Sequence, residues 1–400
     1  MDYDDIVIGS GLSALGTVLG LGPQQRILVL AGPDPGVFAH YDARRLVPCA
    51  LMGTGGLGSY WHGVIPMSLM ANFGRATDSE FAEFFARFYA ATPLAQVLRQ
   101  PQLFVPWQPI RPARELARLE RANERALTLR RQTMDRFGFA DGGVLVHTLD
   151  GSKYRARRLW IAAGCLHTPA LLERSLGGRF ARGYVSDHAQ CYVGLLSGHP
   201  APVITRTRDG TFFPAHYESS ARTLYTLRPA RFAFQKLDVG IELRAVFGLP
   251  TGSAVSKIMR RMSPALLAEA LYNRAGVFPE ASAYSVYAQT LVPDAYVLRS
   301  GTLPLQARLE RILEATAVAR ERVPFAGVRR SQRGDLYIPG IHLHHSLDMA
   351  ALTAHGINQP NSPVQIVDAS VVTDIGPDHH SFKLMLLAYA NSRRATAASS

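Results

Sequence analysis

The sequence predicts an α/β protein: a parallel sheet covered by helices, assembled from separate stretches of chain, with an antiparallel-sheet (α+β) domain inserted between them. Three observations carry this. The chain opens on a strand, a glycine-rich turn, a helix and a second strand. Buried-strand segments return at Leu159–Ala163 and Val364–Val367, each followed by a turn and a helical pattern. Between about 195 and 335 the character changes, and short segments alternate polar and apolar residues as antiparallel strands do.

The opening element is the most informative. Asp5-Ile6-Val7-Ile8 runs into Gly9-Ser10-Gly11-Leu12-Ser13-Ala14, and Arg26-Ile27-Leu28-Val29-Leu30 supplies the second strand. This βαβ unit carries a Gly-x-Gly-x-x-Ala dinucleotide fingerprint. Gly9 allows the tight turn, Gly11 lets a pyrophosphate reach the backbone, and Ala14 lets the helix pack close to the strand. The helix N-terminus offers free N–H groups and the positive end of its dipole to phosphates. The carboxylate that normally ends the second strand and bonds the ribose is missing. Ala31 stands there, and Asp34 lies beyond a turn. Three explanations stay open: Asp34 substitutes, backbone and water hold the ribose, or the site has decayed.

Composition narrows the class. A hydrophobic fraction of 47% is ample for a core, and nothing resembles a disordered chain. No run of ~18 apolar residues predicts a membrane span. Residues 5–20 have no basic stretch before them and read as the nucleotide unit, not as a leader. Three scattered cysteines, Cys49, Cys165 and Cys191, give neither a metal spacing nor a disulfide framework, so a reducing cytoplasm and no metal are expected. The net charge of +12 favours an acidic partner: nucleic acid, a membrane face or an anionic substrate. No nucleic-acid-binding signature accompanies the dispersed basic residues, so no nucleic-acid partner is expected.

In chain order, Gly53-Thr54-Gly55-Gly56-Leu57-Gly58-Ser59-Tyr60-Trp61-His62-Gly63 predicts a loop that approaches a flat or charged group closely. Thr77-Asp78-Ser79-Glu80 reads as a capping box, followed by a core-facing stripe of Phe81, Phe84, Phe85 and Phe88. Five prolines across 93–112 predict a loop or lid. Residues 113–131 read as a basic helix with intrahelical pairs. Gly143–Thr148, Asp150-Gly151 and the strand through Tyr154 predict a hairpin feeding Leu159–Ala163 and a helix capped at Thr168. In the inserted region Thr223–Leu227, Ile241–Phe247 and Tyr284–Gln289 read as strands, and 254–274 and 304–321 as helices. The first of these, with Lys257, Arg260 and Arg261, has the make-up of a membrane-surface helix, but an ordinary packing helix is expected. Ile341-His342-Leu343-His344-His345 concentrates histidines, with His342 and His344 on one strand face, and Asp378-His379-His380 precedes a final apolar helix. Histidine titrates near neutrality and serves proton transfer or metals.

Five of these stretches, in order, resemble the glucose–methanol–choline oxidoreductases, flavoproteins that oxidise alcohols. Gly9–Ala14 is similar to their FAD fingerprint. Gly55-Gly56-Leu57-Gly58-Ser59-Tyr60-Trp61-His62-Gly63 resembles their loop over the flavin. Ala162-Ala163-Gly164 with Thr168-Pro169 resembles their strand and helix, Val185-Ser186-Asp187-His188 a short internal segment, and Val367-Asp368-Ala369-Ser370 their C-terminal turn. The resemblance implies a Rossmann-like FAD-binding domain from 1–75, 125–195 and 336–400, a lid excursion at 76–124, and a substrate domain at 196–335. It implies FAD contacts at Gly9, Ser10, Gly11, Leu12, Ser13, Ala14, Gly55, Gly56, Tyr60, Trp61, His62, Ala163, Gly164, Asp368, Ala369 and His380. It implies a catalytic pair at His345 and His379, and noncovalent FAD, because Tyr60 stands where some members attach the flavin through histidine. The substrate expected is a small-molecule, sugar or lipid alcohol, with an anionic one favoured by charge; the electron acceptor is not indicated. Ala31, and Ser346-Leu347-Asp348-Met349 after His345, depart from the family pattern. Non-redox chemistry on this scaffold, a decayed binding protein, and a nicotinamide-linked enzyme are the alternatives.

Overall fold

The first strand is apolar on both faces because helices cover it on both. Val7 enters one core, and Ile6 and Ile8 enter the other. The structure, a computed structural model, describes residues 2–32, 54–61, 63–67, 77–92, 102–123, 125–200, 202–220, 222–229, 283–299, 305–331 and 337–397. Numbered along the chain, the first elements are β1 (Tyr3–Ile8), α1 (Leu12–Gly20), β2 (Ile27–Leu30), β3 (Ile65–Pro66), α2 (Asp78–Ala86), β4 (Gln102–Pro106), α3 (Pro112–Arg121) and β5 (Leu127–Arg130). There follow β6 (Met134–Ala140), β7 (Gly143–Thr148), β8 (Lys153–Ile161), α4 (Thr168–Leu176), β9 (Tyr184–Ser197), β10 (Thr205–Arg206), β11 (Gly210–Pro214), β12 (His216–Glu218) and β13 (Thr223–Pro229). The last are β14 (Ala283–Val297), β15 (Gln306–Ala307), α5 (Leu309–Glu321), β16 (Arg329–Arg330), β17 (Ile338–Pro339), α6 (Met349–Ala354), β18 (Val364–Ile366) and α7 (Ser381–Ala397).

One sheet runs β5-β2-β1-β8 in parallel. β18, from the far end of the sequence, lies parallel to the last residues of β8, pairing Val364 with Leu159. The first half of β8 instead pairs antiparallel with β7, and β7 with β6. Helices α1, α2, α3 and α7 cover one face, where Phe81, Phe84 and Phe85 pack with Phe382. α4 and α6 cover the other. A second, antiparallel sheet is β10-β11-β4-β3, and a third is β12-β13-β14-β9-β16 with β15 and β17 at its margins.

The capping box at Thr77 is present: its hydroxyl accepts from the Glu80 amide, and Glu80 accepts from the Thr77 amide. The hairpin at Asp150-Gly151 joins β7 to β8, and Asp150 accepts from the Thr148 hydroxyl at 2.5 Å. Three sequence expectations change. The basic helix ends at Arg121, because Asn123 takes φ +52° and Leu127–Arg130 joins the sheet edge beside β2. The proline-rich excursion contains β4, whose Phe104 is fully buried against Phe85 and Phe212. α5 starts at Leu309 and not at 304. Asp34, His62, the strand at 241–247 and the helix at 254–274 lie outside the described residues. Among the described residues no helix is long and apolar enough to cross a membrane.

The parallel sheet is tied at its start by a buried charge. Asp5 is fully buried and accepts from Arg158 at 2.8 and 3.1 Å and from the Trp160 indole at 2.7 Å. These partners sit on β8, so the contact clamps β1 to it. Removing one partner of a buried pair strands the other and costs about 3–5 kcal/mol. Asp5→Ala is expected to lose stability of that order, measured by urea unfolding, while Asp4→Ala, which breaks pairs to the exposed Arg26 and Arg157, loses less.

Candidate active site

At the C-terminal edge of the parallel strands the chain turns sharply. Gly9 adopts φ +107°, and a Cβ there would meet the Ala162 carbonyl oxygen at 2.3 Å, so this turn requires glycine. α1 begins directly after it, and its N-cap Gly11 makes no side-chain cap. A Cβ on Gly11 would meet only the Gly55 carbonyl, at 3.7 Å, and at Gly56 and Gly164 it would meet nothing within 4 Å. Ser10 is buried and its hydroxyl accepts from the Gly55 amide at 2.8 Å, which fastens the glycine loop beside the start of α1. Leu12 and Ala14 are buried in the core and Ser13 is half-buried. Ala31 is buried at the end of β2. Trp61, expected beside a ligand, packs on Phe382 within the aromatic core. Its indole N–H has no hydrogen-bond partner among the described residues. The side chain of Tyr60 lies outside the described residues.

Asp368 ties the turn after β18 to the turn after β8. One oxygen accepts from the Gly164 amide at 2.8 Å and the Thr168 hydroxyl at 2.6 Å. The other accepts from the amide of Ser370 at 2.9 Å and from its hydroxyl. The Thr168 hydroxyl is thus a donor to Asp368, and not the expected cap of α4, whose N-cap is His167 with no side-chain cap. Ala163 flanks this crossing, and Ala369, buried, gives its carbonyl to the amide of His345 at 2.9 Å.

The histidines gather between the third sheet and α7. His188 on β9 places Nδ1 2.9 Å from Nδ1 of His342. His188 Nε2 lies 2.6 Å from the Gly376 carbonyl oxygen. A carbonyl only accepts, so Nε2 carries the proton and Nδ1 of neutral His188 is a lone pair. His380 packs edge-on to His342 at 4.6 Å between ring centres and to His188 at 5.7 Å. Its Nδ1 is buried with no hydrogen-bond partner among the described residues. His344 borders the group, 6.2 Å from the His380 ring, and its Nδ1 lies 3.0 Å from the His342 carbonyl. Burial pushes His188 and His380 far below the usual imidazole range, neighbouring imidazoles adding to the effect, and pushes His344 down to about 4. These three are neutral at pH 7.

His345 and His379 occupy different surroundings. His345 has φ +56° and its Nδ1 receives an Arg182 N–H at 2.9 Å. Arg182 also pairs with Asp294 at 3.2 Å. Burial first, then the Arg182 charge, lowers the His345 pKa. His379 packs edge-on against His342, at 5.6 Å. His342 and His344 both turn their rings toward His188 and His380, and an isolated bridge, Ser186 with His344, joins this segment to β9. His188 and His342 are the residues that sequence reasoning left without a proton-transfer role. The Asp187-His188 pair and the density of histidine after Ile341 were the available signals.

The turn before α7 is held on several sides. Gln289 of β14 donates to the Pro377 carbonyl at 2.8 Å, and Arg222 pairs with Asp374. Lys383 and Asp378 form a buried ion pair at 2.8 Å. Cys165 and Cys191 are buried free thiols.

No protein-family model matches the chain, and no curated protein matches it. Among solved structures it is similar to pyridoxine 4-oxidase from Mesorbium loti: 14% identity, 98% of this chain and 99% of that one, TM-score 0.51. The chain has the fold of that oxidase. It is also similar to a fungal aryl-alcohol oxidase (13% identity, 100% and 99% coverage, TM-score 0.47) and to formate oxidase from Aspergillus oryzae RIB40, described for its FAD modification (11%, 100% and 99%, TM-score 0.49).

The buried imidazoles make stability depend on pH. A histidine whose pKa falls from 6.5 to about 4 on folding binds its proton only in the unfolded chain across that window, so its stabilising contribution is lost as pH falls from 6.5 through 4. His188 and His380 act in the same direction. Asp187 opposes them, because burial raises it to about 7, and its contribution is lost as pH rises from about 4 through 7. The histidines, His345 among them, outnumber the one aspartate, so protons are taken up on unfolding near pH 5 and stability falls as pH falls through that window. Denaturant midpoints measured with chelator present should fall steeply between pH 6.5 and 5, and a flat profile there contradicts the neutral buried cluster.

Proposed function

We propose that the chain is an FAD-dependent oxidoreductase of the glucose–methanol–choline type, acting on an alcohol carbon. The observation that carries this reading is the group of buried, neutral imidazoles next to α7, in a fold that also presents an uncapped α1 N-terminus beside two glycine turns with open space at the Cβ position. In this reading 1–75, 125–195 and 336–400 form one discontinuous FAD-binding domain, with 196–335 as the substrate domain. The residues fit the cofactor: Gly11, Gly56 and Gly164 leave open a cradle that a Cβ would narrow, and the free amides of α1 suit a pyrophosphate. FAD is held without a covalent bond and, when bound, accepts a hydride from the carbinol carbon.

The chain's own part is to orient the alcohol and take its hydroxyl proton. A neutral imidazole does this, and burial keeps His380 unprotonated at pH 7. His342 and His380 are the pair favoured by contact, since their rings touch. The resemblance alone points instead to His345 and His379. His345 Nδ1 is already engaged by Arg182, which suits it to orienting a substrate oxygen. The net charge of +12 supports an anionic alcohol.

The deciding experiment is the absorption spectrum of the purified protein, followed by anaerobic addition of candidate alcohols. Flavin bands that bleach support the proposal; a colourless protein that takes up no FAD refutes it. Loss of a general base slows reaction by about 10²–10⁴-fold. His342→Ala and His380→Ala should each keep the flavin spectrum and slow bleaching by that factor. If His345→Ala and His379→Ala do so instead, the base belongs to that pair. Ala31→Glu restores a carboxylate at the end of β2, and should slow FAD loss on dilution by about 10-fold or more, the worth of one charge-assisted hydrogen bond. Unchanged FAD release would mean that the ribose is held elsewhere.

A further inference from the structure

We propose that His188, His342 and His380 form a binding site for a single divalent transition-metal ion of the zinc type, beyond the oxidoreductase reading above. Each offers one ring nitrogen, and these three atoms lie within 4.8 Å of one another. Two imidazole nitrogens bonded to one ion at 2.0–2.1 Å sit roughly 3–3.4 Å apart. His188 Nδ1 and His342 Nδ1 are already 2.9 Å apart, so an ion would replace the proton they share with little movement. The third residue also has a reason to bind: His380 is 3% exposed and its Nδ1 has no partner among the described residues. An unsatisfied buried ring nitrogen costs free energy that a metal bond to this imidazole can offset.

The surroundings are those of a metal ligand set. The hydrogen bond from His188 Nε2 to the Gly376 carbonyl fixes the ring and its tautomer, the outer-shell arrangement that accompanies ligating histidines. Asp187 binds the amides of both His188 and His342, at 2.7 and 2.6 Å, and places a carboxylate beneath two of the three ligands. Three imidazoles and no thiolate suit zinc, cobalt, nickel or copper, and not calcium or magnesium. Three protein ligands also leave a fourth position for water or an anion. Metal binding takes the lone pairs that proton transfer needs, so an ion here acts as a brake on the alcohol chemistry. The binding itself does not depend on that chemistry.

The test is a titration of chelator-treated, dialysed full-length protein with Co²⁺, followed by its visible ligand-field bands and by calorimetry. One equivalent is expected to bind, displaceable by Zn²⁺. His342→Gln and His380→Gln should each weaken binding by more than about 100-fold, beyond the cost of losing an outer-shell residue. His355→Gln, at the exposed end of α6, should not weaken it. Circular dichroism checks that the variants fold. If they do not, the X-ray absorption spectrum of the wild-type cobalt complex decides: three imidazole ligands support the site, and fewer than two overturn it. Absence of stoichiometric Co²⁺ binding, or binding unchanged in a folded His380→Gln protein, also overturns it. Flavin uptake is read on the same samples. A protein that binds Co²⁺ but no FAD refutes only the oxidoreductase reading, and one that binds FAD but no Co²⁺ refutes only the metal site.

Discussion

The candidate site hangs on one buried carboxylate. Asp187 has no solvent to hydrate it, and an unpaired carboxylate there would be prohibitively costly. It is satisfied by backbone donors: the amides of His188, Ile341 and His342, with the Tyr296 hydroxyl at 3.4 Å. Those amides come from two segments about 150 positions apart. By collecting them on one group, Asp187 holds Ile341 at its positive φ and sets His342 against His188. The kink is therefore held by the buried carboxyl group whose oxygens its amides satisfy, and the imidazole pair follows from the kink.

A second carboxylate does the same on the other flank. Asp368 joins the end of β18 to the turn after β8. Beyond it, the amides of His345, Ser346 and Leu347 bind the carbonyls of Ala369 and Ser370. The histidine-rich segment is thus pinned at its entry by Asp187 and at its exit through the turn that Asp368 builds. Neither oxygen of Asp368 is short of a donor, so its contribution is to position the strand ends and the segment beside them.

This explains which parts could be read from sequence. The opening βαβ unit, the capping box at Thr77 and the hairpin at Asp150 are local: a few adjacent residues specify each, and the structure contains them. Residues 113–131 misled because intrahelical Glu and Arg pairs favour a helix throughout, whereas Leu127 and Leu129 gain more by completing the sheet edge beside β2. Packing overrode propensity there. The hidden member of the site, His342, depends on a pairing across the chain that no periodicity records. Positive φ values at Ile341 and His345, both non-glycine, break the strand pattern that the sequence suggests. Trp61 carries an expected cofactor contact only through the family resemblance, and in the structure its indole stacks on Phe382 at the margin of the phenylalanine core.

The remaining constraint is the distance between the glycine turn after β1 and the histidines before α7, and two glycines set it. Gly16 and Gly20 lie one helical turn apart on α1. A Cβ at either would stand 2.0 Å from the Met385 carbonyl oxygen or 2.2 Å from that of Tyr389. α1 and α7 therefore cross with backbone against backbone, closer than any larger residue permits. Ser392 completes the seat by donating to the Thr17 carbonyl at 3.0 Å. Interiors packed this tightly transmit displacement instead of absorbing it. Pushing the helices apart at Gly16 would carry the start of α7 with it, and His380 lies immediately before that start. The first helix thus serves two purposes: its N-terminus faces the glycine loop, and its glycine face fixes where the last helix presents its histidines.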